Sequence, residues 1–100
     1  MPKLKEFSSF ILTENDGAER TIIVGGRLAW ALVELIRAGK VGLTAITAPG
    51  PRWSGYIHRL RRDFGIDIET ETEPHGGPFS GHHARYHLRS RVHMIGRAAS

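Results

Sequence analysis

Four arginines and no carboxylate lie between positions 51 and 62, inside the stretch "GPRWSGYIHRLRRDFG". Arg52, Arg59, Arg61 and Arg62 are permanent cations whose planar forks donate to phosphate oxygens or to paired acceptors on a base edge. The chemistry they offer is recognition of a polyanion. Glu-to-Arg pairs at four-residue spacing, which often neutralise a helix surface, are missing from this window. Ser54, Tyr56 and His58 add polar tips among the arginines. At 100° per residue, Trp53, Ile57, Leu60 and Phe64 fall in one narrow stripe, while Arg52, Gly55, Arg59 and Arg62 fall opposite, with Tyr56 and His58 on the flanks. The same helix therefore has a core face and a basic face. Gly55 costs roughly 1 kcal/mol relative to Ala in a helix interior, and lets the backbone approach another surface closely. A solvated helix surface, or a glycine that makes room for the preceding helix, would leave the same residues.

The remaining reactive side chains point away from catalysis. Six histidines include the run "HGGPFSGHH" and His87, but their spacing forms no closed zinc set, and there is no HExxH and no cysteine. No metal and no cofactor are expected. His75 and His82 instead flank a Gly-rich loop, where imidazoles that charge near pH 6.5 suit phosphate neighbours. No GxSxG and no Gly-rich phosphate loop followed by Lys occurs, so the sequence reads as that of a binding protein and not an enzyme.

Net charge is +4 and the isoelectric point is near 10.1, which favours a polyanionic partner, and the charge comes in blocks. Residues 63–73 carry five negative charges and no positive one, and residues 84–97 carry four positive charges and no negative one. "IDIETETE" alternates strictly, with Asp67, Glu69, Glu71 and Glu73 on one side; "ARYHLRSRVH" alternates too, with Arg85, His87, Arg89, Arg91 and His93 on one side. Paired antiparallel, the two strands would set opposite charges side by side and cancel much of that field. Arg91 and residues near the loop lie beyond the acidic strand's reach.

The elements that position these side chains follow from local pattern. Phe7 to Leu12 and Thr21 to Val24 are β-prone runs around Asn15-Asp16-Gly17, a turn signal, and predict a hairpin. Gly25 and Gly26 break strand from helix. Leu28, Ala31, Leu32, Leu35 and Ile36 predict a helix over Arg27 to Ala38, with Gly39 just beyond its end. Thr44 suits the cap of a very short helix at 45–47, stopped by Pro49, Gly50 and Pro51. Pro51 suits the first position of the next helix, which runs to Phe64 and stops at Gly65. Pro74 to His82 predicts a loop, and "GRAAS" a frayed tail.

In that order, "GLTAIT", "APGPRWSGYIHRLRRDFG", "IDIETE" and "ARYHLR" resemble the short strand and second helix, the turn and recognition helix, and the two wing strands of winged helix-turn-helix domains. "GRLAWALVELIRAG", "PGPRWSGYIHRLR" and "IETETEPHGGPFSGHHARYHLRS" are similar to small phage- or prophage-type winged-helix proteins. The likeness covers Arg27 to Val92; the short second helix and the long wing loop depart from the plainest pattern. It implies an α+β fold with three helices and a two-stranded wing, here carrying an N-terminal β-hairpin. The expected organisation is one domain over 1–100, with the hairpin at 1–25, the winged-helix core at 26–93 and a flexible tail at 94–100.

The resemblance further implies binding to double-stranded DNA, in transcription regulation or a phage-related DNA transaction, with helix 51–64 in the major groove and loop 74–82 as wing. Arg52, Ser54, Arg59 and Arg62 are the leading contact candidates. Gly55, Tyr56, His58, Arg61, His75 and His82 complete the expected DNA-facing set. A protein-interaction module that docks an acidic protein surface is the competing expectation, and the edge of the hairpin offers a route to a homodimer. No run approaches the roughly 20 apolar residues of a membrane span, and the N-terminus lacks a signal-peptide core, so a cytoplasmic location is expected.

Overall fold

Alternation in "FSSFILT" and "ERTIIVG" produces two antiparallel strands, β1 (Phe7–Thr13) and β2 (Glu19–Gly25), in register from Phe7↔Gly25 to Thr13↔Glu19. The computed structural model describes residues 7–44, 52–75 and 81–98. At the hairpin turn, Gly17 takes φ 89° and the Ala18 amide donates to Asp16 Oδ1 at 2.9 Å. That Asx contact and left-handed glycine are what Asn15-Asp16-Gly17 predicts.

Gly25 closes β2, and α1 (Gly26–Ala38) begins one residue earlier than its apolar spacing indicated. It buries Leu28, Ala29, Ala31, Leu32 and Leu35, and the Gly39 amide caps it by donating to Leu35 O. A single 3-10 turn (Gly39–Val41) and Gly42, at φ 85°, then lead into β3 (Leu43–Thr44). The short helix expected at 45–47 and the start of the next one at Pro51 lie outside the described residues.

From Trp53 to Phe64 the chain forms α2, which buries Trp53, Ile57 and Leu60 and half-buries Phe64. The stripe drawn from sequence is the face that packs. Arg52 precedes the helix in a left-handed conformation, φ 67° and ψ 31°, and Gly65 ends it in the same region, its amide donating to Arg61 O.

β4 (Ile68–His75) and β5 (Gly81–Leu88) form the wing hairpin, and β3 pairs with the far edge of β5. The wing is thus part of a three-stranded sheet in the order β3-β5-β4, not a two-stranded one. Among the described residues there are two α-helices and six strands, where three helices and two wing strands were expected beside the hairpin.

The larger correction concerns the last segment. The alternating run from Ala84 to Val92 is not one strand, because it breaks at Arg89 and Ser90, and β6 (Arg91–Ala98) joins the other sheet. There it pairs with β1 from Thr13↔Arg91 to Phe7↔Ala98, giving the order β2-β1-β6. Residues 94–98, expected to fray, are strand. The main chain of Asp67 makes the corner: its carbonyl accepts from the Arg89 and Ser90 amides at 2.8 and 3.2 Å, and its amide donates to Ser90 Oγ at 2.8 Å. Leu88 and Val92 both pack on the core across this corner, so the period-2 pattern runs through it unchanged. Nor is the hairpin an appendage, since Phe10, Leu12, Ile22 and Val24 share one core with α1, α2, Leu43, Ile66 and Ile68.

Candidate nucleic-acid interface

With Trp53, Ile57 and Leu60 buried and Phe64 packed beside them, the opposite side of α2 faces outward. Arg52, Ser54, Gly55, His58, Arg59 and Arg62 are all exposed, and Tyr56 is half-buried at the margin. Among the described residues, a Cβ placed on Gly55 would meet no atom of another element within 4 Å, so this glycine does not make room for α1. The backbone is open at mid-face. Arg52 makes no side-chain hydrogen bond to cap the helix.

Arg59 and Arg62 are not without a local counter-charge, contrary to the sequence reading. Asp63, one residue past the all-basic window, takes both: Arg62 Nε donates to Oδ1 at 2.8 Å, and Arg59 Nε lies 3.6 Å from Oδ2. The hydrogen bond from Arg62 holds the Asp63 carboxyl below the usual carboxylate range, and the same bond raises the Arg62 guanidinium. Two arginines share one carboxylate, so the face keeps a positive excess.

Arg61 leaves this face altogether. Its Nε donates to Ile68 O at 3.0 Å, its Nη2 reaches the same carbonyl, and Nη2 donates to Thr70 Oγ1 at 2.7 Å. The guanidinium ties α2 to β4 and holds the angle between helix and wing. On the other side, Arg20 of β2 donates through Nη2 to Phe64 O at 2.6 Å and pairs with Glu14 at 3.0 Å. It satisfies a carbonyl at the open C-terminus of α2, where a cation also suits the helix dipole. Sequence reasoning missed Arg20, which lies 44 residues from its acceptor and carries no local signal.

Trp53 anchors the opposite end. Its ring lies 5.2 Å from that of Trp30 on α1 and 6.0 Å from that of Tyr56, the latter edge to face. Trp30 and Tyr56 also meet edge to face at 6.4 Å. Tyr56 is therefore partly engaged in fixing α1 against α2, a role the sequence did not show.

The wing strands answer differently. Glu73 pairs with Arg85 at 2.5 Å and with His83 at 3.0 Å, Glu71 with His87 at 2.9 Å, and Glu69 with Arg89 at 2.6 Å. Three of these contacts run diagonally, since Glu71 stands opposite Arg85 and Glu69 opposite His87 in the register. The expected cross-strand neutralisation is present as a ladder. The hydrogen bond from Arg85 is the main reason the Glu73 carboxyl sits below its ordinary range, and it raises Arg85 in turn. Gly42 closes over this ladder: a Cβ there would stand 2.8 Å from the His87 ring and 2.9 Å from Arg85 Cγ. Arg85 also donates to Val41 O at 3.2 Å.

Arg91, beyond the ladder, is exposed and stands opposite Thr13 of β1. It lines a polar cleft of about 300 Å³ with Glu14, Asp67 and Arg89. The side chains of His75 and His82 lie outside the described ones. No helix among the described residues is long and apolar enough to cross a membrane.

No curated protein and no solved structure matches the chain. A family model described as winged helix domain matches residues 21–98, from β2 through the end of β6. With two helices stacked through Trp30 and Trp53, a β4–β5 wing tied to α2 by Arg61, and that match over most of its length, the chain belongs to the winged helix domain family.

Proposed function

We propose that this winged helix domain binds double-stranded DNA, with α2 seated in the major groove and the end of the β4–β5 wing, where β4 ends at His75 and β5 begins at Gly81, reaching the backbone. The observation that carries the reading is the exposed α2 face, where Arg52, Arg59 and Arg62 surround an unobstructed Gly55. A major groove about 12 Å wide admits a helix, and a residue without a side chain at the centre lets the helix axis sit deeper. Arg59 and Arg62 are the groove contacts in this arrangement. Arg52, Ser54 and the first turn of α2 suit phosphate, which helix N-termini attract. His58 and Tyr56 border the contact, while Arg61 serves it indirectly by fixing the wing. The role is binding without chemistry, in transcription control or a phage-related DNA transaction.

Fluorescence anisotropy with a mixed-sequence duplex at two salt concentrations tests this. Duplex binding with an affinity that falls steeply with salt is the expected result, because arginines that displace counterions make affinity salt-dependent. Absence of duplex binding at low salt, with capture of an acidic protein surface instead, would overturn it in favour of a protein-docking module.

A further inference from the structure

An acid sits where helix physics disfavours it. Asp63 is the penultimate residue of α2, next to the negative end of the helix dipole, a position that favours cations. It is also the sole carboxylate on a face otherwise built of Arg52, His58, Arg59 and Arg62. Neither the fold nor simple attraction to a polyanion calls for it. Its geometry does supply a use: both contacts are to Nε atoms, one arginine on each carboxylate oxygen. The Nη groups of Arg59 and Nη2 of Arg62 are left for other acceptors, and the two side chains stay 58% and 61% exposed. Arg62 Nη1 lies 3.5 Å from His58 Nε2, which adds a third side chain to the array.

We propose that Asp63 is a positioning residue that sets sequence specificity: it holds Arg59 and Arg62 as one preorganised fork whose Nη groups read base edges in the duplex. The inference rests on the duplex-binding reading above. Free arginine side chains are long and rotamer-rich, and they satisfy a phosphate as readily as a guanine edge. Fixing both by their Nε groups narrows the positions of the Nη donors, which is what bidentate recognition of guanine O6 and N7 requires. The same carboxylate lowers the positive charge of the face and so weakens attachment to duplex of any sequence. Asp63 thus exchanges general affinity for discrimination.

Selection of bound sequences from a random duplex pool, followed by titration of the best binder and its single-base variants, tests this with the full chain and Asp63→Asn. Asp63→Asn removes a charge that the helix dipole disfavours together with two exposed pairs worth about 0–1 kcal/mol each, so its thermal melt should stay close to wild type. Its affinity for unselected duplex should rise about 3- to 10-fold at low salt, with a log–log salt slope steeper by about one. Its discrimination against single-base variants should fall by about 3- to 10-fold. Asp63→Glu, which keeps the charge but displaces it, should keep the wild-type slope while still losing discrimination. Discrimination by Asp63→Asn equal to or greater than wild type overturns the role of Asp63 and leaves duplex binding standing. Failure of the wild-type chain to bind any duplex overturns the reading on which it rests.

Discussion

Arg59 and Arg62 on α2, and Arg85 on β5 with Arg89 just past its end, are the same residue type in basic blocks of equal charge, yet they meet different surroundings. On α2 two guanidinium groups share Asp63. On the wing each has its own carboxylate, Glu73 for Arg85 and Glu69 for Arg89. Arg85 is further covered by Gly42 and Val41, with only 22% of its side chain exposed. The difference teaches that charge count in a sequence block is a poor measure of the field a partner meets. What matters is the periodicity of the neighbouring acids. A strand brings glutamates at every second residue against a paired strand, whereas a helix must find them within its own turn.

The wing side of the comparison breaks most sharply at Gly42. A Cβ there collides with the His87 ring and Arg85, at a backbone φ of 85° that side chains rarely adopt. Gly42→Ala should therefore lower unfolding free energy by about 2–3 kcal/mol, read by urea denaturation. The folded fraction should keep the wild-type salt slope of duplex binding, because the α2 face is untouched.

Arg61 joins the two regions, and Arg61→Ala sharpens the comparison by releasing one from the other. Loss of its bonds to Ile68 O and Thr70 Oγ1 should cost about 1–2 kcal/mol, at the low end for charge-assisted bonds because the residue is exposed. Amide hydrogen exchange should quicken in β4 more than in α2. Equal protection across both elements would mean that Arg61 does not couple them.

The smallest effect expected concerns acid. Glu73 has its carboxyl depressed by the hydrogen bond from Arg85. Its contribution is full above the unfolded carboxylate value of about 4.3 and is lost as pH falls through the lower folded value. Between pH 7 and pH 3, protection of the β4–β5 amides should decline, and Glu73→Gln should show less of that decline. Asp63, also depressed but on the α2 face, should not affect exchange in the wing.

Much of this was legible locally. The hairpin turn at Asp16 and Gly17, the buried stripe Trp53, Ile57 and Leu60, and the acid-base wing pairing each follow from periods of 2 or 3.6 and from turn chemistry. The corner at Ser90 was not, because Leu88 and Val92 stay in phase across it and the signal that separates β5 from β6 is the main chain of Asp67. Nor was the end of β6: Gly96, Arg97 and Ala98 lack β-prone side chains, and they are held by backbone pairing to β1. At the site, the exposed arginines were legible as a face, whereas the departure of Arg61 to β4 and the arrival of Arg20 at Phe64 depend on tertiary contacts. Asp63 was missed by one residue, since the acid-free window ended at Arg62.

The claim that α2 and not the wing strand carries duplex contact is tested most directly by salt-dependent anisotropy of Arg59→Ala/Arg62→Ala beside Arg89→Ala. The account predicts that the α2 double variant binds about 30- to 100-fold more weakly with a log–log slope shallower by about two. It predicts that Arg89→Ala, which removes a surface pair worth about 0–1 kcal/mol, keeps the wild-type slope. Equal slopes in the double variant and wild type, or a shallower slope in Arg89→Ala alone, would contradict it.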